Sequence, residues 1–536
     1  MRRFVFSVAA ALLVCTSGSL NAQSQEFNTG KSLEIQYNIL KVLQNNYVDT
    51  VKIDKLVTRG INAMLESLDP YTNYIPEEED ENLEFLTTGI YGGIGSLIKK
   101  IDSLGVLISQ PYMNSPATKA GLEPGDIILK INGEETKPMS ADVASAKMKG
   151  EPGSTVKFEV KKGRTGEVKE YKIIRERIKV PDVSYSGLYK GDIGYIRMDS
   201  FSVGGASEVK NALLNLKGQG AKRIILDLRG NGGGVMDEAI NIVSLFVPAG
   251  TTVMSSKGKS PESTMTYKTK EEPVDTLIPL TVMINSGSAS ASEILAGAVQ
   301  DLDRGLIIGT RSFGKGLIQG FKSVGYNGQL KYTVAKYYTP SGRCVQALDY
   351  SHRNEDGSVG YVPDSLIKPF KTLKGRTVYD GGGITPDSVL TAISYSRPVI
   401  ALAYSDILND YAIKYYISHN SIASPLDFKL TSEEYADFAQ YASERNFDSR
   451  SGAEVMIDQM IAAAKADKLY ELNKAEFDAL EKKLKLSKLE MLNVKREEIQ
   501  PLLEEAIIEK YYFTSGRVRK AVQTDPQLEK AAEIIQ

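Results

Sequence analysis

Histidine is nearly absent from this chain of 536 residues, since only His352 and His419 occur. His352 lies in a polar stretch, and His419 lies in a segment with helical periodicity. A serine nucleophile needs a base that takes its proton, and histidine is the usual base. The composition therefore disfavours a histidine-based triad. It leaves a lysine whose pKa is lowered by burial as the alternative base.

Cysteine is equally scarce, with only Cys15 and Cys344 present. Cys15 lies in the N-terminal segment described next. If that segment is removed, Cys344 is left alone and no internal disulfide can form. If Cys15 were instead lipidated, the protein would be a membrane-anchored lipoprotein.

The first 22 residues have the three parts of an export signal. Arg2 and Arg3 supply the positive charge, residues 4–14 the apolar stretch, and Leu20–Ala22 an acceptable cleavage site. We therefore predict a signal peptide over residues 1–22 and an exported, periplasmic protein.

A basic excess is also lacking, because the formal net charge is −2 with 25% charged residues. This balance gives no reason to expect a nucleic-acid partner. No long apolar run follows the N-terminal segment, so no integral membrane span is expected after signal removal. We expect neither a metal nor a cofactor. The length predicts several domains.

The most informative stretch reads strand, small-residue corner, helix, strand. An apolar run (Ile278–Ile284) precedes the serine-rich corner, a helical pattern covers residues 293–302, and a second apolar run (Leu306–Gly309) leads to the turn Phe313–Gly316. In such a βαβ unit the corner and the turn both follow carboxyl ends of strands, where α/β sheets place their chemistry. The glycines around Lys315 allow the chain to pack closely about its amine.

The corner G-S-A-S-A-S-E-I followed by S-F-G-K-G-x-x-Q resembles the C-terminal processing peptidases, or tail-specific proteases, which use a Ser/Lys dyad. The resemblance implies that Ser290 is the nucleophile and Lys315 the general base. Gln319 matches the glutamine that orients the lysine. Ser288 and Ser292 remain alternative nucleophiles, because the sequence alone does not separate the three serines.

A glycine-rich loop, Arg229–Gly234, follows the buried-strand pattern 224–228. Such a loop before a helix is an anion site in general, although it lacks the form of a nucleotide-binding P-loop. It is similar to the peptidase motif D-L-R-G-N-x-G-G. The similarity implies that the oxyanion hole is formed by the N–H groups of Gly233 and Ala291.

Residues 88–178 contain G-L-x-P-G-D-x-I-L-x-I-N-G, which resembles PDZ domains. Such domains bind an extended peptide by strand addition and hold its terminal carboxylate on backbone N–H groups. The matching carboxylate loop is Gly92, Gly93, Ile94 and Gly95. The implied partners are protein or peptide substrates with free C-termini.

The last part of the chain lies outside these motifs and is predicted to be helical. Residues 431–434 and 473–476 both have capping-box spacing. An apolar stripe, which favours an internal helix–helix core, is formed by Phe477, Leu480, Leu484, Leu489 and Leu492. A homodimer contact or an adaptor site is a further role that these helices could serve.

These observations predict a multidomain α+β protein with an α/β, crotonase-like peptidase core and an inserted β-rich PDZ domain. The expected segments are a signal peptide (1–22), an N-terminal helical region (23–87), the PDZ domain (88–178), the Ser/Lys peptidase core (179–395) and a C-terminal helical domain (396–536). The predicted function is that of a secreted serine endopeptidase working through an acyl-enzyme. The alternatives are a catalytically silent PDZ scaffold and, since the family's core resembles crotonases, an acyl-CoA enzyme.

Overall fold

The computed structural model describes residues 27–77, 85, 87–101 and 103–535. The predicted signal peptide and Cys15 lie outside these residues. The helices are α1 (27–46), α2 (Ile53–Glu66), α3 (Pro116–Lys119), α4 (Ala141–Met148), α5 (Gly205–Gly218), α6 (Met236–Ser244), α7 (Ala291–Asp301), α8 (Arg397–Ala403), α9 (Ile407–Ser418), α10 (Ser432–Ser443), α11 (Gly452–Ala466), α12 (Lys474–Leu484), α13 (Lys488–Val494), α14 (Arg496–Thr524) and α15 (Pro526–Ile534).

The strands follow the alternating and buried apolar patterns of the sequence. They are β1 (Asn73–Ile75), β2 (Ile90–Gly93), β3 (Ser96–Ile101), β4 (Gly105–Pro111), β5 (Ile127–Ile131), β6 (Glu134–Glu135), β7 (Thr155–Lys161), β8 (Val168–Ile174), β9 (Glu176–Lys179), β10 (Val183–Tyr189), β11 (Ile193–Met198), β12 (Arg223–Asp227), β13 (Thr252–Gly258), β14 (Met265–Lys268), β15 (Leu280–Ile284), β16 (Leu306–Gly309), β17 (Leu317–Gly325), β18 (Gly328–Tyr338), β19 (Leu348–Arg353), β20 (Val359–Tyr361), β21 (Pro369–Lys371), β22 (Thr377–Tyr379) and β23 (Ser388–Val389).

One compact unit comprises residues 27–77 and 319–333. Its helices α1 and α2 follow the helical periodicity of the predicted N-terminal region. That region is not helical throughout, because β1 pairs antiparallel with β18, with Asn73 opposite Lys331. Pairing with a strand so distant in sequence supplies backbone hydrogen bonds that no local pattern reveals.

The other compact unit holds the remaining described residues and begins with a small β-rich fold. Its sheet has the order β3–β4–β5–β7–β8, with β6 on β5, and β2 pairs with β9. Buried side chains from the strands and from α3 and α4 form one apolar core, which includes Ile108, Ala117, Ile128, Ala144 and Phe158. This is the region in which the sequence predicted a PDZ domain.

The largely parallel sheet of this unit has the order β10–β11–β12–β15–β16–β23. Its strands are parallel from β11 to β23, and β10 is antiparallel to β11. Both faces are covered, which explains the continuous apolar runs in the sequence. Because these strands are parallel, the corner after β15, the loop after β12 and the turn after β16 all lie at the same edge.

The C-terminal residues are largely helical, as predicted, with a separate core of buried side chains from α8–α10, α13 and α14. The β-rich fold contacts this helical part through Lys99, whose Nζ lies 2.8 Å from Asp410 Oδ1. The Arg164 guanidinium also stacks on the Tyr416 ring at 4.1 Å. No helix within the described residues is both long and apolar enough to span a membrane.

Candidate active site

Ser290 forms the corner between β15 and α7. Its backbone has φ 56° and ψ −112°, a conformation that residues other than glycine seldom adopt. Such strain costs roughly 1–3 kcal/mol and persists only where the surrounding structure enforces it. The residue is partly buried, at the helix end where the dipole is positive. A sharp strand-to-helix turn presents the nucleophilic hydroxyl in α/β-hydrolases.

The three serines of this corner have different surroundings. Ser288 and Ser292 are fully buried. The Ser288 hydroxyl donates to the carbonyl oxygen of Leu228, and the Ser292 hydroxyl donates to that of Asn231, each at 2.8 Å. These two serines therefore hold the corner to the glycine-rich loop. Ser290 differs from both in its exposure and in its strained backbone.

Glu293 joins the serine corner to the lysine turn, and the sequence analysis did not identify it. Its fully buried carboxylate accepts, on Oε2, the backbone N–H of Ser290 at 2.9 Å and that of Lys315 at 2.8 Å. The two backbone nitrogens therefore lie no farther apart than the sum of these two lengths. Oε1 accepts from the Ser312 hydroxyl at 2.6 Å and from the Gly314 N–H at 2.7 Å.

Burial raises the pKa of the Glu293 carboxyl, and its four donors lower it by less than burial raises it. None of these four donors carries a charge: they are one hydroxyl and three backbone N–H groups. The spacing of Ser290 and Glu293 is that of a capping box, S-x-x-E. That pattern was the local signal that could have pointed to this residue.

The glycine-rich loop packs directly on the serine corner. At Gly233 φ is 97°, and a Cβ there would lie 2.7 Å from the Ala289 carbonyl oxygen and 2.9 Å from the Ala291 nitrogen, so the position requires glycine. The Gly233 N–H donates to Asn231 Oδ1 at 2.9 Å. Ala291 is the first residue of α7. The two N–H groups predicted to bind an oxyanion thus belong to segments in contact, and one of them has an internal acceptor.

Asp227 anchors the start of the same loop. It is fully buried at the end of β12 and accepts from Arg229 Nε at 3.0 and 3.1 Å, from Tyr195 Oη at 2.7 Å and from Arg197 at 3.4 Å. Burial alone would raise the pKa of Asp227, but the two guanidinium groups outweigh burial and hold the pKa at about 2. The carboxylate is therefore ionised over the whole working range of pH.

The far end of α7 is held by the segment after β18. Arg343 is 1% exposed and donates to Asp301 Oδ1 at 2.9 Å and to Gln300 Oε1 at 2.7 Å. Within β18 itself, the Tyr337 hydroxyl donates to the Ser290 carbonyl oxygen at 3.3 Å. This part of the chain is scaffold that fixes both ends of the helix carrying Ser290.

Two other sequence candidates have identifiable surroundings. Gln319 belongs to the first compact unit, where its Nε2 donates to Thr333 Oγ1 at 3.4 Å. Cys344 is a partly buried thiol close to Gly316, and burial raises its pKa, which disfavours the nucleophilic thiolate. The role of Gln319 stays a prediction from the sequence, and Cys344 packs.

The two histidines are engaged elsewhere. His352 has a side chain that is 85% exposed, and its Nδ1 lies 2.7 Å from Asp349 Oδ2. His419 stacks on Tyr415 with ring centroids 3.9 Å apart. Both histidine rings are therefore in contact with residues outside the serine corner.

The β-rich fold has an open groove beside β3. Within the part of the chain that the structure describes, β3 pairs with β4 alone. The groove between β3 and α4 is lined by Tyr91, Ile94, Gly95, Ser96, Ile98, Ser145, Met148 and Lys149. Ile94 and Gly95 of the predicted carboxylate loop thus line it, whereas Gly92 and Gly93 lie in β2 and pair with β9. An unpaired strand edge beside a helix is a geometry that accepts an added peptide strand.

Three family models match the chain. Residues 192–351 match peptidase family S41, residues 107–162 match a PDZ domain, and residues 399–535 match the C-terminal helical domain of a probable PDZ-protease. The matched ranges fall on the parallel sheet, the β-rich fold and the helical part of the structure.

The chain is also similar to individual proteins. It is 35% identical over 376 residues to the carboxy-terminal-processing protease of Bartonella bacilliformis, covering 69% of this chain and 83% of that relative. A probable CtpA-like serine protease of Staphylococcus aureus is 34% identical over 340 residues, covering 63% of this chain and 67% of the relative. A solved photosystem II D1 C-terminal processing protease superposes with a TM-score of 0.34 at 25% identity, covering 66% of this chain and 92% of the other.

The Bartonella relative is 35% identical and is covered over 83% of its length, and the S41 and PDZ models agree with this match. The chain belongs to the carboxy-terminal-processing proteases, serine-type peptidases of family S41 that carry a PDZ domain.

Proposed function

We propose that this protein is an exported endopeptidase in which Ser290 and Lys315 form the catalytic dyad. The observation that carries the proposal is the shared carboxylate of Glu293, which accepts the backbone N–H groups of both residues. The strained backbone of Ser290 at the start of α7 supports its role as nucleophile. The burial of Ser288 and Ser292 makes them poorer choices.

In the proposed reaction the neutral Lys315 amine takes the proton of the Ser290 hydroxyl as the oxygen attacks a peptide carbonyl carbon. The tetrahedral intermediate collapses, the C–N bond breaks, and the lysine ammonium gives its proton to the leaving amine. Ser290 is then esterified. A water molecule, deprotonated by the same amine, attacks the ester carbon. As the acyl C–O bond breaks, the lysine ammonium returns the proton to the Ser290 oxygen and the new C-terminal carboxyl group is released.

The proposed oxyanion donors are the N–H groups of Gly233 and Ala291. Their support is the packing of Gly233 against the Ser290 corner and the position of Ala291 at the N-terminus of α7. Each donor of this kind contributes about 10²–10³ in rate. Since the Gly233 N–H donates to Asn231 in this structure, substrate binding has to release it from that acceptor.

The open edge of β3 supports recognition of a substrate C-terminus by strand addition. The peptide's carboxylate would meet the backbone at Ile94 and Gly95, which line the groove. Residues 1–22 support export, because they combine positive charge, an apolar stretch and a small-residue site. The periplasm is the compartment we propose.

The test is cleavage of an unstructured polypeptide with an apolar C-terminus by the purified protein. We expect Ser290→Ala and Lys315→Ala each to lose activity by several orders of magnitude, because the two groups act as one unit. Both variants should keep the melting temperature of the wild type. Ser286→Ala, an exposed serine of the same corner, and Lys322→Ala, an exposed lysine, are matched controls that should cleave normally.

A second arm uses the same polypeptide with an amidated C-terminus. Loss of the terminal charge should weaken cleavage by raising KM, since the PDZ groove would lose its carboxylate contact. Proteolysis retained by Ser290→Ala would refute the dyad. Binding of the free C-terminus without any cleavage by the wild type would instead identify a silent PDZ scaffold.

A further inference from the structure

Apolar side chains at the end of the chain pack on the largely parallel sheet, while Lys520 keeps a contact with the helical part through the Phe428 carbonyl oxygen at 2.7 Å. A break at Phe513 (φ 58°) divides α14. Before the break, α14 contributes to the core of the helical part. After it, the chain covers one face of the sheet through buried side chains of both partners: Val518, Val522, Leu528, Ala531, Ala532 and Ile535 against Tyr195, Ile225, Met283 and Ile308.

A polar contact connects this terminal segment to the glycine-rich loop. Arg229 donates from one guanidinium nitrogen to Gln527 Oε1 at 2.9 Å and from another to Asp525 Oδ2. Gln527 Nε2 in turn donates to the Thr391 carbonyl oxygen at 2.7 Å. Arg229 and Gln527 are each 8% exposed. A buried, charge-assisted contact of this kind is stronger than one at the surface.

The remaining contacts of Arg229 are with residues near the carboxyl ends of β11 and β12. Its other donors bind Asp227, and its carbonyl oxygen accepts from Arg197 at 2.8 Å. The next residue, Gly230, donates its N–H at 2.8 Å to Asn285, which lies in the corner before Ser290. A guanidinium is planar with donors in fixed directions. Acceptors on both sides therefore fix how Arg229, and the loop that begins there, are oriented.

We propose that Asp525 and Gln527 are positioning residues of the catalytic centre. They hold Arg229, and through it the loop whose Gly233 contacts the Ser290 corner. The C-terminal helical domain is in this respect part of the active-site support. This inference rests on the proposed function, because it assigns a task to a loop that we place at the oxyanion.

The test compares Asp525→Asn and Gln527→Leu with a matched control in the full chain. Asn at 525 keeps a side-chain oxygen for the N–H groups of Gln527 and Leu528, which Asp525 caps at 2.8 and 3.1 Å. Its NH₂ group then replaces Oδ2, so the charge opposite Arg229 and the hydrogen bond that Arg229 donates there are both lost. The control is Glu529→Gln on the same helix, which loses an exposed ion pair with Lys190.

We expect kcat to fall about 10²-fold in Asp525→Asn, the loss typical of a catalytic group displaced by about 1 Å, with little change in KM. Labelling of Ser290 by a fluorophosphonate should slow in proportion. Asp525→Glu, which restores the charge, should recover part of the rate. The control should match the wild type. Activities are taken well below each melting temperature, so that unfolding does not contribute.

Each other outcome overturns a specific claim. Wild-type kcat in both Asp525→Asn and Gln527→Leu, with Ser290→Ala inactive, would refute the positioning role alone. An equal loss in Glu529→Gln would show that the helix acts by packing only, which also refutes it. Cleavage retained by Ser290→Ala would refute the proposed function together with this inference.

Discussion

Two fully buried carboxylates lie at the edges of neighbouring parallel strands, and they are used in opposite ways. Asp227, at the end of β12, meets two guanidinium groups and a phenol. Glu293, in the first turn of α7, accepts one hydroxyl and three backbone N–H groups. At the first site, positive guanidinium groups compensate the negative charge of the buried carboxylate. The second uses a carboxylate to gather backbone donors from separate segments.

The difference appears in the two pKa values. Burial opposes ionisation at both sites, but the arginines lower the pKa of Asp227 to about 2, whereas the neutral donors leave that of Glu293 raised. Asp227 is thus an electrostatic anchor whose loss leaves buried positive charge uncompensated. Glu293 is a geometric link whose loss separates the serine corner from the lysine turn.

The largest effect on stability is expected from Asp227→Asn. Removing one partner of a buried ion pair costs about 3–5 kcal/mol, since the remaining charge stays buried. Urea unfolding followed by circular dichroism measures this loss. The matched control is Asp199→Asn, because Asp199 pairs with the same Arg197 from a position that is 42% exposed. An exposed pair contributes less than about 1 kcal/mol.

The same variant should change the pH dependence of stability. The pKa of Asp227 is depressed on folding, so its contribution is complete above the unfolded value of about 3.9 and is lost as pH falls toward about 2. Asp227→Asn should therefore lose less stability than the wild type over that interval. If the stability of the two proteins fell equally with pH over that interval, the ion pairs of Asp227 would not be the electrostatic anchor of the loop.

Glu293→Gln should lower the free energy of unfolding less than Asp227→Asn does, and its main effect should be on kcat. A glutamine keeps only one acceptor oxygen, and in either orientation of the amide its NH₂ group faces at least one backbone N–H that the carboxylate accepts, so at least one of these hydrogen bonds is lost. We expect kcat to fall about 10²-fold through misalignment of Ser290 and Lys315. Steady-state cleavage kinetics measure the change.

Glu208→Gln is the control for that variant. Glu208 Oε2 likewise accepts two backbone N–H groups, those of Asp182 and Val183, at 2.9 and 3.0 Å. It should lose stability with kcat unchanged. If Glu293→Gln had the kcat of the wild type, or if both variants lost kcat equally, Glu293 would not be a specific link between the serine corner and the lysine turn.

Much of the catalytic fold was predictable, because its elements have strong local patterns. The strand, corner, helix and strand around Ser290 were expected over 278–309 and lie close to those bounds. The capping box predicted at Thr431 is present, whereas Asn473 makes no side-chain capping hydrogen bond. Periodicity and end signals suffice for such elements.

Features that depend on distant residues were not predictable. Asp525 and Arg229 are separated by 296 positions, and neither carries a local signal of the contact. The apolar stripe was predicted to be internal, and this holds for only part of it. Leu492 is 1% exposed in the core of the helical part, whereas Leu480 is 41% exposed and α12 has no buried residue. A stripe shows that a face is apolar, but tertiary packing decides whether it is covered.

The most direct test of the account is the site of reaction with a fluorophosphonate, which modifies activated serines. The folded protein is treated, digested and analysed by mass spectrometry. We predict a single adduct on Ser290, formed orders of magnitude more slowly in Lys315→Ala. An adduct on Ser288 or Ser292, or equal labelling of the lysine variant, would contradict the account.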